Sequence, residues 1–151
     1  LINGGGDIMK FKPALASDFD EAFYYIKNLW YYNDYDKTET EKLYLKTLSD
    51  ENNYMFFGVE NEEYHGFCHT IFFNTFWLSG LTCYISAIIT NENERRKGYG
   101  TQILDEVKRI AKEKKCKGII LDSGIPRKEA HKFYEAQGFE RSCYGFDYLL
   151  V

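Results

Sequence analysis

Proline is scarce in this chain of 151 residues, with Pro13 and Pro126 the whole supply, and no Pro/Ser-rich linker or internal repeat divides it. One domain is therefore expected, from Met9 to Val151. Residues 1–8 have neither a basic n-region nor a long apolar h-region, and read as an extension ahead of a natural start at Met9. No apolar run approaches the roughly 20 residues that span a bilayer, so no membrane partner is expected. Paired cysteines are missing too. Cys68, Cys83, Cys116 and Cys143 lie 15, 33 and 27 residues apart, with no Cys-x-x-Cys and no zinc spacing. His65, Cys68 and His69 resemble a metal set in letters alone, because on a strand Cys68 points away from both histidines. No metal is expected, and scattered unpaired thiols fit a reducing cytoplasm. Positive charge is in deficit: 19 Lys and Arg against 23 Asp and Glu give a net −4 and a pI near 5.4. That argues against nucleic acid as a partner, which needs a clustered basic surface.

What is abundant is aromatic: 13 Tyr, 12 Phe and 2 Trp, or 18% of the chain. Such rings wall a core, a ligand or a partner, and composition alone does not choose. With 44% hydrophobic and 28% charged residues the chain is globular in composition.

Periodicity gives the elements. Phe11–Ala14 reads as a strand. Ser17 caps a helix running to about Trp30, and the Thr38-x-x-Glu41 capping box opens a second through Leu48, with Leu45 and Leu48 inward. Tyr54–Glu60 and Tyr64–Phe73 form a hairpin about the turn Asn61-Glu62-Glu63, and Leu81–Thr90 is the next strand. Residues 98–115 are apolar at 103, 104, 107, 110 and 111, a helical stripe, with Gly118 suited to its C-terminal end. Ile119–Leu121 is a short buried strand and Lys128–Gln137 a helix. Phe139–Arg141 and Phe146–Val151 read as closing strands. The expected fold is α/β (α+β): a mixed, mostly antiparallel sheet with helices on both faces and a parallel crossover through 98–115.

The strongest local signal is Arg95-Arg96-Lys97-Gly98-Tyr99-Gly100-Thr101, between an apolar strand and an amphipathic helix. A helix N-terminus presents unpartnered N–H groups and positive potential, glycines let phosphate oxygens approach, and nearby basic side chains add charge-assisted bonds. A P-loop is a weaker reading, because Gly100 is followed by Thr101-Gln102 rather than Lys-Ser or Lys-Thr. A dinucleotide fingerprint is weaker too, because Ile103 stands where a third Gly belongs and the strand before it is not the first in the chain. A basic turn with glycines placed for packing is the competing reading.

Some thirty residues on come Leu121-Asp122-Ser123-Gly124 and Ala130-His131-Lys132-Phe133-Tyr134-Glu135-Ala136-Gln137-Gly138-Phe139. The two motifs in this order, over residues 81–140, resemble the GNAT superfamily of acyl-CoA-dependent N-acetyltransferases. The resemblance implies that two central parallel strands, 81–90 and 118–122, splay apart around the pantetheine arm of acetyl-CoA. It implies that backbone groups of Ile88, Ile89 and Thr90 bond that arm, that Arg95, Arg96, Lys97, Gly98, Tyr99, Gly100 and Thr101 cradle the pyrophosphate, and that Phe133 faces the thioester. Tyr134 is implied as general acid toward the departing thiolate; a core aromatic is the plainer reading of the same residue.

Two positions depart from the family pattern. Arg127 replaces an Asn that contacts the cofactor arm in many relatives, so that contact is open, with Arg127 or Lys128 able to meet a phosphate instead. The central strand reads Tyr84-Ile85-Ser86-Ala87, without the carboxylate that serves as base; Asp34, Asp36, Glu39, Asp122 and His69 are candidates by residue type. Phe23-Tyr24-Tyr25 and Trp30-Tyr31-Tyr32-Asn33-Asp34-Tyr35-Asp36 suit a cationic amine acceptor, a helix core or a homodimer seam. Acetyl transfer to a small cationic amine, a protein lysine or an N-terminus is expected. The alternative is a non-catalytic acyl-CoA-binding regulatory module.

Overall fold

The computed structural model describes residues 8–94 and 98–150, and the chain divides after Ile120 into two compact units. In the first, strand β1 (Lys10–Pro13) leads through a 3-10 turn (Ala16–Asp18) into helices α1 (Phe19–Leu29) and α2 (Lys37–Leu48). Strands β2 (Asn53–Glu60), β3 (Glu63–Thr75) and β4 (Gly80–Thr90) follow, then helix α3 (Tyr99–Glu113) and strand β5 (Gly118–Leu121). The second unit holds helix α4 (Lys128–Ala136). The sheet order is β1-β2-β3-β4-β5. The first three pairings are antiparallel. Lys117 N–H donates to Leu81 O at 2.7 Å, which sets the beginnings of β4 and β5 side by side and makes the sheet mixed.

Alternation along the strands builds two layers. Met55, Phe57, Phe67 and Ala87 face α1 and α2, packing with Phe19, Ala22, Phe23, Tyr25 and Tyr44. The other face meets α3, whose stripe of Ile103, Leu104, Val107, Ile110 and Ala111 is buried, as its spacing predicts. That helix lies close because β2 and β3 oppose Gly58 to Gly66. A Cβ at Gly66 would fall 2.5 Å from Ile103 Cδ1 and 2.9 Å from Ile89 O.

Several local expectations are corrected. Asp18, not Ser17, is the cap residue of α1; its buried carboxylate accepts from Lys12 Nζ, from Leu15 N–H (2.9 Å) and from the Tyr64 hydroxyl (2.8 Å). Asp36, not Thr38, caps α2, accepting from Glu39 N–H at 2.8 Å. Leu45 is exposed, and Tyr44 is the residue α2 buries, its ring 5.5 Å from Phe19 and its hydroxyl donating to Leu15 O. The C-terminal turn after α3 is made by Lys115 at φ 61, while Gly118 opens β5 against Leu78. Strand β5 is half-buried rather than buried. Residues 139–150 form no strand: their β-prone rings find no ladder partner among the described residues, and propensity without a partner edge makes no strand.

Candidate functional site

Strand β4 carries an extra residue. His69 pairs with Ala87 while Thr70 pairs with Ile85, so Ser86 is a bulge. Bulges bend a strand and raise its twist. Here the bulge also exchanges faces: Cys83 and Ile85 lie on the α3 side, whereas Ala87 and Ile89 lie on the α1 side. Ile88 and Thr90 consequently turn toward α3, and Thr90 Cγ2 is 3.4 Å from a Cβ placed at Gly66. Strand β5 starts level with Leu81 and is four residues long, so Ser86–Thr90 lie beyond its reach.

Past Thr90 the chain turns through Glu92–Glu94 toward α3. Arg95, Arg96 and Lys97 lie outside the described residues. Gly98 takes φ 82 and caps α3 with no side-chain hydrogen bond, its carbonyl accepting from Gln102 N–H at 3.1 Å. A Cβ there would meet nothing within 4 Å among the described residues. The N–H groups of Tyr99 and Gly100 stand in the first turn, where the helix itself supplies no acceptor. This positively polarised end, whose cap residue carries no side chain, has the chemistry to receive an anion such as a diphosphate. Among the described residues Gly98 answers to φ rather than to a crowded neighbour.

A polar network that sequence reasoning missed supports the turn. Asn91 N–H donates to His65 O at 3.0 Å, and the Asn91 amide donates to Tyr64 O and to Glu94 Oε1 while accepting from the buried Tyr25 hydroxyl at 2.7 Å. Glu94 Oε2 lies 2.7 Å from His65 Nδ1, in an ion-pair contact without in-line hydrogen-bond geometry. The His65 ring lies 4.7 Å from that of Tyr99, whose hydroxyl donates to Glu60 Oε2 at 2.6 Å. That bond to a carboxylate, with burial, pushes the Tyr99 phenol up to about 12. Tyr99 thus ties its side chain into the scaffold while its backbone N–H stands in the first turn of α3. The only hint in the sequence was polar residues in a loop that periodicity passes over.

The other expected residues separate by role. Phe23 and Tyr25 are core; Tyr24, Tyr31 and Tyr32 are exposed, with the last two rings edge-on at 5.6 Å beside Asp34. Asp36 and Glu39 serve α2, through its cap and a 2.7 Å bridge to Lys42. His69 Nε2 donates to Asn53 Oδ1 at 2.7 Å, leaving the ring lone pair on Nδ1, and burial drives its pKa down to about 4. It is neutral at pH 7 and a weak acceptor for an ammonium proton. Burial raises the thiols of Cys68 and Cys83, the latter to about 12, so neither is a thiolate at neutral pH. Among the described residues no three His, Cys, Asp or Glu side chains gather as a metal set. No described helix is long and apolar enough to cross a membrane.

In the second unit Arg127 is the cap residue of α4. Tyr134 is buried, with Phe133 at 5.5 Å and Phe139 at 6.0 Å between ring centroids. Ser123 Oγ and His131 Nδ1 are buried without a hydrogen-bond partner among the described residues.

Over residues 14–139 the sequence matches the profile of the acetyltransferase (GNAT) family. The chain belongs to that family. A GNAT relative from Bacillus subtilis (strain 168), an uncharacterized N-acetyltransferase called YhdJ, is 30% identical over 110 residues, 72% of this chain and 77% of its own. Among solved structures, a transcriptional regulator from Bacillus halodurans C-125 superposes with a TM-score of 0.86 at 21% identity, covering 95% of this chain and 100% of that one. The aminoglycoside N-acetyltransferase AAC(6')-Iy, in complex with CoA, gives 0.84 at 17% identity over 99% of both chains. In a second structure, with TM-score 0.79, 17% identity, and 95% and 99% coverage, AAC(6')-Iy holds the bisubstrate analog CoA-S-monomethyl-acetylneamine. At these identities the structural likeness speaks for the GNAT fold, and family membership carries acyl-CoA-dependent acetyl transfer in general.

Proposed function

We propose that this chain, as one acetyltransferase domain over 9–151, moves an acetyl group from acetyl-CoA to a primary amine by direct attack in a ternary complex. The observation that carries the reading is the N-terminus of α3 behind left-handed Gly98, next to a β4 whose last residues outrun β5. When bound, acetyl-CoA supplies the activated acyl group as a thioester. The N–H groups from Gly98 to Thr101, with Arg95, Arg96 and Lys97, hold its diphosphate. Backbone groups of Ile88, Ile89 and Thr90 align its arm, a strand-like mode of binding. Phe133 lines the arm. Tyr134 keeps a proton on its hydroxyl for the departing thiolate, as a phenol of ordinary pKa near 10 can at neutral pH.

The acceptor we propose is a small cation, a polyamine or aminoglycoside in chemistry, or a protein lysine or N-terminus. The exposed Tyr24, Tyr31 and Tyr32 and the carboxylate of Asp34 supply aromatic faces and opposite charge. The bisubstrate complex of AAC(6')-Iy is a precedent in that enzyme. Proton removal from the ammonium falls to water or to a carboxylate outside β4, since His69 titrates too low. A cytoplasmic homodimer is the proposed setting, with sedimentation reading its stoichiometry.

A non-catalytic acyl-CoA-binding module is the second reading, favoured by the absence of an acid on β4. Thiol release from acetyl-CoA across a panel of amines separates the two. Turnover with a cationic amine, cut roughly 10²–10⁴-fold in kcat by Tyr134→Phe with CoA affinity retained, is expected. CoA-induced thermal stabilisation without thiol release from any amine overturns the enzymatic reading. Unchanged kcat in Tyr134→Phe removes the acid.

A further inference from the structure

The hairpin between β3 and β4 ends in an aromatic tip that acetyl transfer does not use. Phe76 is fully exposed and Trp77 is 69% exposed. Both stand in a four-residue turn closed by Ser79 N–H donating to Phe76 O at 3.0 Å. The tip is braced by the chain entering β5: a Cβ at Gly80 would lie 2.9 Å from Lys117 Cγ, and one at Gly118 would lie 3.1 Å from Leu78 Cδ1. That chain is basic. Lys112, Lys114, Lys115 and Lys117 are all exposed, and Lys114 Nζ lies 4.8 Å from the centre of the Phe72 ring. Arg109 and Glu113 neutralise each other at 2.7 Å, and Arg109 also binds Glu106. The remaining acids near this end, Asp50 and Glu51, precede β2, with Lys46 before them. A chain of net charge −4 thus gathers an excess of cations around the two rings of this tip.

We propose that this end of the sheet docks on an anionic lipid surface, with Phe76 and Trp77 entering the headgroup layer and the lysines facing lipid phosphates. The shape favours lipid over protein. A two-ring tip is far smaller than the roughly 800 Å² per partner of a stable protein interface, whereas a bilayer interface accepts a protruding Trp without a matching pocket. A two-fold contact between copies through the tip would set the lysines against each other. Anionic headgroups complement them. Helix α3, about 22 Å long at 1.5 Å per residue, puts Gly98 at its far end, so docking leaves the cradle clear of the surface.

The test is co-sedimentation of the full chain with vesicles of phosphatidylcholine alone or mixed with phosphatidylglycerol, together with Trp77 emission in a Trp30→Phe background. Binding to the anionic vesicles only, with a blue shift of Trp77, is expected. The Phe76→Ser/Trp77→Ser variant, checked for folding by circular dichroism, should lose at least about tenfold in partitioning, and Lys112→Gln and Lys115→Gln about fivefold each. Salt should weaken the wild type in the same direction. No pelleting with either vesicle, equal pelleting with both, or a tip variant that dissociates a dimer while vesicle binding persists would each overturn the proposal. None of these readouts depends on acetyl transfer.

Discussion

Substituting Gly98 separates two effects that the candidate cradle combines. The residue sits at φ 82, ψ 8, where an L side chain is strained, yet a Cβ there touches no atom of the described residues within 4 Å. Gly98→Ala should therefore cost about 1–2 kcal/mol of stability from backbone strain alone. Gly98→Asn should cost less, because Asn tolerates the left-handed region. Ligand binding should not follow that order. Either Cβ projects into the open space before α3 and holds a phosphate oxygen off the first N–H groups. Losing one charge-assisted bond of about 1.5–3 kcal/mol weakens CoA roughly 10- to 150-fold in both variants. Urea unfolding and calorimetric titration with CoA on the same preparations give the two quantities. If the Gly98→Asn and Gly98→Ala variants both bind CoA as the wild type does, phosphate is not gripped at this turn. If affinity tracks stability across the series, strain and not access is responsible.

Three further perturbations test the supports of the site. Gly66→Ala drives a methyl to 2.9 Å from the Ile89 carbonyl, and backbone cannot yield as Ile103 can; a loss of about 1–3 kcal/mol is expected, only partly relieved by Ile103→Val, and full rescue in denaturant melts would refute it. Asp18 is raised by its burial but lowered more by Lys12, Leu15 N–H and Tyr64, so its folded pKa is depressed below 3.8. Its contribution is then present above the unfolded pKa and lost as pH falls through the folded one. Asp18→Asn should destabilise at pH 7 by about 1–3 kcal/mol, and its deficit against wild type should shrink in melts near pH 3; a deficit that grows there contradicts the assignment. Glu94→Ala removes the carboxylate that accepts from Asn91 and lies against His65; thermal melts should fall, and CoA should bind several-fold more weakly than the stability loss alone explains.

The helical stripe of α3 and the hairpin alternation were legible because each answers to one period, and Gly98 because the left-handed start of α3 gives a glycine a backbone reason to be there. What escaped reading was non-periodic or long-range. In α2 the leucines suggested an inward Leu45, but the groove beside Phe19 takes the larger ring of Tyr44, whose hydroxyl also finds Leu15 O. His65 and Glu94 meet only because β3 and the turn after β4 are neighbours in the fold. The C-terminal run Tyr144-Gly145-Phe146-Asp147-Tyr148 has strand residues without a strand, since pairing is decided by an edge that propensity does not contain. Tyr134 was found through a motif, and its burial is compatible with either reading of it.

Ser86 makes the parity of β4 a variable. Taken into the ladder opposite His69, this single residue would push everything downstream one partner along β3 and turn it to the opposite face. Ile89 would then point where Ile88 does, and the outward amide and carbonyl groups at 88–90 would trade places with those bonded to β3. Whether Ser86 stands in or out of the ladder therefore governs which atoms a visitor at the end of the strand would find, independently of any side chain there.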